Sequence, residues 1–212
     1  MKIKQFTFNP FQENTYIVSD DQGIAAIIDP GCETNSEQQQ ITQYLQENKL
    51  SLQHLINTHC HIDHILGNQW IADTFHLKLA ANPMEKPVLE ASPIWGRQYG
   101  IRCEGSPPIE IELQEGSQLN VGSLTFDILF VPGHSPGHLA FVNHEHATVF
   151  GGDVLFRGGF GRVDLPGGNV SDLKDSILNK LFLLPDHYTV YAGHMGETTI
   201  GFEKQHNPIH QF

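Results

Sequence analysis

Three histidines and an aspartate crowd into six residues, His59, His61, Asp63 and His64, directly after the apolar run Leu52 to Asn57. Core packing does not ask for three imidazoles and a carboxylate side by side, and four polar groups buried without a common partner would each be costly. The chain must therefore bring a strand end to a polar, convergent pocket. If extended backbone continues through the first pair, His59 and His61 point to one side and Cys60 to the other, because strand side chains alternate. Two donors on one side suit one ion. Asp63 and His64, at the turn into the following helix, suit a second ion close by.

Three later positions repeat one local pattern. His134 in Val-Pro-Gly-His-Ser-Pro-Gly-His, Asp153 in Phe-Gly-Gly-Asp-Val and His194 in Tyr-Ala-Gly-His-Met each follow an apolar strand that runs into glycine. Glycine lets the backbone turn sharply and present the next side chain at the sheet edge. Together the seven residues make three donors per ion and one carboxylate able to bridge two. The composition agrees with a metal site, since 13 histidines outnumber the 12 lysines and arginines combined. Nitrogen and carboxylate donors without thiolate suit zinc, and equally manganese or iron.

Runs at Ile3 to Phe8, Thr15 to Ser19 and Ile24 to Ile28 are short, apolar or alternating, and punctuated by Pro, Gly, Asn and Asp, which predicts an opening meander of strands. Ser36 to Asn48 places Ile41, Tyr44 and Leu45 at helical spacing, with Ser36 as N-cap. Leu52 to Asn57 is predicted as a strand and Ile65 to Phe75 as a helix. The proline-rich stretch from Asn82 to Glu115 predicts short helices and irregular loop. Strands return at Leu124 to Val131, Leu139 to Val142 and Thr148 to Phe150, a helix at Ser171 to Leu184, and a last strand at Tyr188 to Ala192. The order β-rich, helix, β-rich, helix predicts an α+β fold of two sheets with helices outside them, one half of the chain per sheet. With 212 residues and no linker or repeat, residues 1–212 read as a single domain.

Thr58-His-Cys-His-Ile-Asp-His resembles the His-x-His-x-Asp-His signature of the metallo-β-lactamase superfamily, and His134, Asp153 and His194 match its later positions in order and approximate spacing. More narrowly, Gly161-Arg-Val-Asp-Leu-Pro-Gly-Gly, Gly193-His-Met-Gly-Glu-Thr-Thr-Ile-Gly and Asn207-Pro208 are similar to glyoxalase II-type hydrolases, which cleave glutathione thioesters. The chain stops soon after its last matching histidine, without the helical region that supplies basic residues to glutathione, so the resemblance is to the short glyoxalase II-like branch. The resemblance implies the αβ/βα sandwich, two mixed sheets flanked by helices. It implies that His59, His61 and His134 bind one divalent metal, zinc foremost, that Asp63, His64 and His194 bind a second, and that Asp153 bridges. It implies hydrolysis of a small-molecule acyl thioester such as a hydroxyacylglutathione by a metal-bridging hydroxide, with Asp63 and Asp153 as catalytic carboxylates and Arg162 as a candidate substrate contact.

Persulfide dioxygenases also resemble the chain in Thr58 to His64 and in Gly161-Arg-Val-Asp164. That resemblance implies a single iron on His59, His134 and Asp153. Lactonase chemistry on the same site is a further alternative. Other features carry less. His138 suits a supporting or loop role beside the site, Ser135 lacks the spacing of a nucleophile elbow and reads as a turn residue, and Arg162 and Asp164 read foremost as a pair that braces a loop. Cys32, Cys60 and Cys103 form no Cys-x-x-Cys pair and read as reduced. A net charge of -12 excludes nucleic acid as the expected partner. No apolar run approaches the ~20 residues of a membrane span, and no secretion signal opens the chain, so the expected location is cytoplasmic.

Overall fold

The computed structural model describes residues 1–103 and 105–212. It builds two six-stranded mixed sheets. The first contains β1 (Lys2–Phe8), β2 (Glu13–Ser19), β3 (Ile24–Ile28), β4 (Ser51–Ile56), β5 (Leu79–Ala81) and β6 (Ile109–Glu112), in that order across the sheet. The opening meander is antiparallel, and β3 to β6 are parallel. Parallel neighbours need crossovers, which α1 (Asn35–Glu47), α2 (Asn68–Phe75) and α3 (Lys86–Tyr99) supply.

The second sheet contains β7 (Gln118–Val121), β8 (Leu124–Phe130), β9 (Leu139–Asn143) and β10 (Thr148–Gly152), joined beyond the small hairpin β11 (Leu155–Phe156) and β12 (Gly159–Phe160) by β13 (Thr189–Ala192) and β14 (Thr198–Thr199). It is flanked by α4 (Val170–Leu178) and α5 (Ile200–His206). Among the described residues no helix is long and apolar enough to cross a membrane.

Period-two alternation divides the apolar residues into three layers. In β3, Ala25 and Ile27 face the helices α1 and α2, with Ile41, Leu45 and Ile71. Ala26 and Ile28 face inward and meet Phe126, Phe141 and Phe150 of the second sheet. On the far side Val142, Val149 and Val190 pack on Leu173 and Ile177 of α4 and Ile200 of α5. Strand β2, covered on both faces, is buried along its whole length. The predicted α+β sandwich, with one sheet per half of the chain, is what the structure contains.

Several boundaries differ, for identifiable reasons. Helix α1 is capped by Thr34, not Ser36, through a reciprocal capping box with Glu37. Helix α2 starts at Asn68 instead of Ile65, because Ile62–His64 forms a separate 3-10 turn and the Gly67 N–H is bonded to the Pro30 carbonyl at 2.7 Å. The helix predicted to Leu184 ends at Leu178; Leu181 continues its apolar face from a 3-10 turn, so the periodicity outlasts the helix. The largest difference is α3, a continuous 14-residue helix through Pro93 where short pieces were expected. Proline removes the bond to the carbonyl four residues back, and the buried Ser92 hydroxyl donates to that carbonyl, Leu89 O, at 2.7 Å.

Candidate metal centre

The two sheets deliver their strand ends to one seam, and the seven histidine and aspartate residues meet there. Strand β4 ends at Ile56, but Asn57 N–H still bonds the Ala80 carbonyl at 3.0 Å and the Thr58 carbonyl accepts Leu139 N–H at 2.8 Å. The His59 and His61 rings lie 4.8 Å apart, while Cys60 points into the aliphatic layer under the helices. The 3-10 turn at Ile62–His64 then brings Asp63 and His64 to the same pocket. From the second half, His134 follows β8, Asp153 follows β10 and His194 follows β13.

The donor atoms form two groups that share a side. His59, His61 and His134 place one ligand atom each within 4.8 Å of one another, Asp63, His64 and His194 do the same, and Asp29 forms a further such set with His59 and His64 behind them. Asp153 stands between them: Oδ2 lies 3.6 Å from His134 Nε2 and 3.4 Å from His194 Nε2, and Oδ1 lies 3.5 Å from His64 Nε2. His194 Nε2 also lies 3.2 Å from Asp63 Oδ2. All seven residues predicted from the sequence are brought together.

Hydrogen bonds behind the cluster fix which ring nitrogen carries the proton. Thr58 donates its hydroxyl to Asp29 Oδ2 at 2.6 Å, so Thr58 Oγ1 accepts from His59 Nδ1 at 3.1 Å. His64 Nδ1 donates to Asp29 Oδ2 at 3.2 Å, and His134 Nδ1 donates to the Arg162 carbonyl at 2.8 Å. Nε2 of His59 and His64 is left facing the cluster, and His134 Nε2 accepts from His61 Nδ1 at 2.8 Å. His59 Nε2, His64 Nε2 and Asp153 Oδ1 are buried without a hydrogen-bond partner. Buried polar atoms almost always have one, and three converging on one space fit a cation.

The electrostatics agree. Burial, reinforced by neighbouring imidazoles, holds His59 well below the usual histidine range, and burial brings His61 down to about 3. Burial opposes charge on His64 as well, but Asp153 and Asp63 outweigh it and push that ring well up. For Asp153, burial is outweighed by His64, His134 and His194, which keep it ionised. Among the described residues every ion pair of Asp63 and Asp153 is to histidine, with no lysine or arginine. Such a pocket favours positive charge.

Close approach explains the glycines. Gly152 takes φ +48°, and a Cβ there would strike Thr58 Oγ1 and the His138 ring. A Cβ on Gly193 would strike Asp153 Oδ1. The second half is held to the first by β2: Asn14 donates to the Ala192 and Met195 carbonyls, and the Tyr16 hydroxyl donates to Ala192 O at 2.6 Å.

Three supporting residues stand behind the cluster, and two of them, Asp29 and Glu85, matter more than the sequence indicated. Asp29, at the end of β3 with φ +50°, receives Asn57, Thr58 and His64. The signal for it was Asp29-Pro-Gly after an apolar strand, the acid-at-a-strand-end pattern seen at Asp153. His138 is fully buried, stacks on His59 at 4.6 Å and accepts the Asp153 N–H at 3.0 Å, the supporting role expected for it. Glu85, also fully buried, has no sequence signal: Oε2 accepts Cys60 N–H at 2.7 Å, and Oε1 accepts the Ser135 hydroxyl and Gly137 N–H, each at 2.6 Å. Arg162 lines the cavity, but its guanidinium is engaged by Asp164 through two bonds of 2.6 Å. Cys32, Cys60 and Cys103 are free thiols.

This architecture has close counterparts. Hydroxyacylglutathione hydrolase GloC of Haemophilus influenzae is 38% identical over 211 residues, covering 99% of this chain and 98% of the relative. The crystal structure of BLEG-1 B3 metallo-β-lactamase superposes with a TM-score of 0.89 at 34% identity, covering 98% of both chains. TTHA1623 in a di-iron-bound form gives 0.87 at 36% identity, covering 97% of this chain and 98% of its own. The family model of the metallo-β-lactamase superfamily matches residues 8–194, from the last residue of β1 to the last histidine of the cluster, and the chain belongs to that superfamily.

Proposed function

We propose that the protein is a hydrolase that holds two divalent ions and cleaves a small-molecule acyl thioester. The observation that carries the reading is the pair of donor groups on either side of Asp153, with His59 Nε2, His64 Nε2 and Asp153 Oδ1 buried and unpartnered. His59, His61 and His134 would hold one ion, Asp63, His64 and His194 the other, and Asp153 would reach both. Two divalent ions there would supply an acidified water near neutral pH and a Lewis acid for the acyl carbonyl and the departing thiolate. Zinc fits the donors, and iron or manganese suit them too; the di-iron-bound neighbour supports keeping iron in the assay. The thioester assignment is supported by the name of the Haemophilus influenzae relative.

The chain's own residues then divide the work. Asp63 lines both the cluster and the cavity above it, so its carboxylate orients the attacking water toward the substrate. Protein nucleophiles are poorly placed: the Ser135 hydroxyl is spent on Glu85, and Cys60 is buried among aliphatic side chains. Asp29, through Thr58 and directly, keeps the His59 and His64 tautomers that present Nε2. Arg162 braces its loop through Asp164 and offers His134 its carbonyl.

The test is elemental analysis of protein purified without added metal, followed by thioester hydrolysis. Two zinc-like ions per chain are expected, with Asp63→Ala and Asp153→Ala each lowering kcat/KM more than about 100-fold at saturating metal. One iron per chain with persulfide-dependent oxygen consumption would replace this reading with the mononuclear dioxygenase.

A further inference from the structure

The donor cluster forms the floor of a cavity of about 850 Å³, within the ~300–1,000 Å³ range of pockets that enclose drug-sized ligands. Its walls are aromatic. Phe11, from the β1–β2 turn, meets Tyr99 of α3 edge-on at 5.4 Å, and Tyr99 stacks on Trp95 at 6.0 Å. The lining also includes Phe156 and Phe160 of the β11–β12 hairpin, Phe156 being edge-on to His194 at 6.2 Å. At the rim Tyr99 is 42% and Met195 67% exposed, large apolar surface left open beside a polar floor.

Away from the donor cluster at its floor, the cavity is poor in groups that recognise anions. Among the described lining residues the only lysine or arginine side chains are Arg157 and Arg162. Arg162 is held in a two-bond pair by Asp164, and the Arg157 guanidinium lies 5.7 Å from the Phe202 ring, which it can use as a cation–π partner. The chain's charge of -12 further opposes an anionic thiol carrier.

We infer that the larger, non-reacting arm of the substrate is an uncharged alkyl or aryl group seated against the aromatic lining formed by Trp95, Tyr99, Phe156 and Phe160. The substrate class is then medium-chain or aromatic acyl thioesters, in preference to thioesters identified through a charged peptidic thiol. This inference rests on the proposed thioester hydrolysis and specifies it. Each buried methylene raises kcat/KM about three- to fourfold until the cavity is filled.

The experiment uses the metal-loaded protein and acetyl, butanoyl, hexanoyl, octanoyl and phenylacetyl thioesters of one small neutral thiol, beside lactoylglutathione. Expected is a climb in kcat/KM from acetyl to octanoyl, a hexanoyl value above that for lactoylglutathione, and a flattened slope in Trp95→Ala and Phe156→Ala. Calorimetry with non-hydrolysable ketone analogues of the same chain lengths reads binding without turnover, and a heat-capacity decrease that grows with chain length is expected. No chain-length dependence in either assay, or a preference for lactoylglutathione over octanoyl, overturns the inference. Chain-length-dependent binding without hydrolysis of any thioester leaves the apolar site standing and removes the proposed reaction.

Discussion

Glu85 ties together two loops that reach the donor cluster from different halves of the chain, and replacing it measures what that tie is worth. Its carboxylate is fully buried and accepts three donors: the Cys60 N–H, from between His59 and His61, and the Ser135 hydroxyl and Gly137 N–H, just beyond His134. Glutamine can keep its oxygen toward Ser135 and Gly137, but its NH2 then confronts the Cys60 N–H, donor against donor. One buried donor left unpaired costs about 1–3 kcal/mol. Part of that is offset because burial already pushes the Glu85 carboxyl up and the amide removes a desolvated charge. Alanine leaves all three donors unpaired and opens a cavity. With water entering the freed space to satisfy some of them, the net loss is about 3–5 kcal/mol. Urea unfolding of metal-free protein reads the folding part, and competition with a coloured chelator reads the site. We expect stability to fall in the order wild type, Glu85→Gln, Glu85→Ala, and metal affinity to drop about 10- to 100-fold in Glu85→Gln, the range typical of residues that orient ligands. An alanine variant with the wild-type unfolding midpoint and wild-type metal affinity would refute the reasoning.

Two further outcomes follow from other parts of the structure. Asp20 accepts the Ser123 N–H across the two sheets and the Gln22 and Ile24 N–H groups within its own turn, and these backbone bonds, Ser123 foremost, hold its carboxyl below the usual 3.8. A depressed acid stabilises the native state above its unfolded value and loses that contribution as pH falls through the lower folded value. The stability gap between wild type and Asp20→Asn should therefore be constant near neutrality and shrink below about pH 3.8 in urea titrations, whereas a gap that does not change with pH would contradict it. Gly193→Ala puts a methyl against Asp153 Oδ1 and the His64 ring. Overpacking of this kind costs about 1–3 kcal/mol, and bound metal should fall toward one ion per chain by elemental analysis.

What the sequence revealed was whatever depends on near neighbours. The His59 to His64 cluster is legible because its donors share one strand end and one turn, and the layers are legible because apolar residues alternate in β3 and recur at helical spacing in α1. His134, Asp153 and His194 could be added only because each repeats strand, glycine and donor in the same order. Residues whose role comes from distant partners stayed hidden. Glu85 looks like any acid in a proline-rich stretch until Cys60 and Gly137 are folded onto it. Helix α3 was obscured by Pro93, because the Ser92 side chain that compensates for it is visible only in three dimensions. Trp95 and Tyr99 were hidden with it, and so was the apolar character of the cavity. The premature end of α4 shows the opposite failure: Leu181 keeps the helical spacing after the helix has stopped.

The seam between the sheets also has a consequence for how the molecule assembles. Each sheet is made from one half of the chain, and each donor group draws on both: His59 and His61 with His134, Asp63 and His64 with His194. The first half alone also offers Asp29, His59 and His64, but an ion held by either of the two groups that include His134 or His194 closes a loop of many tens of residues. The entropy of closing a loop rises only logarithmically with its length, yet contacts so far apart in sequence form slowly. An ion bound across both halves would favour the docked state through mass action.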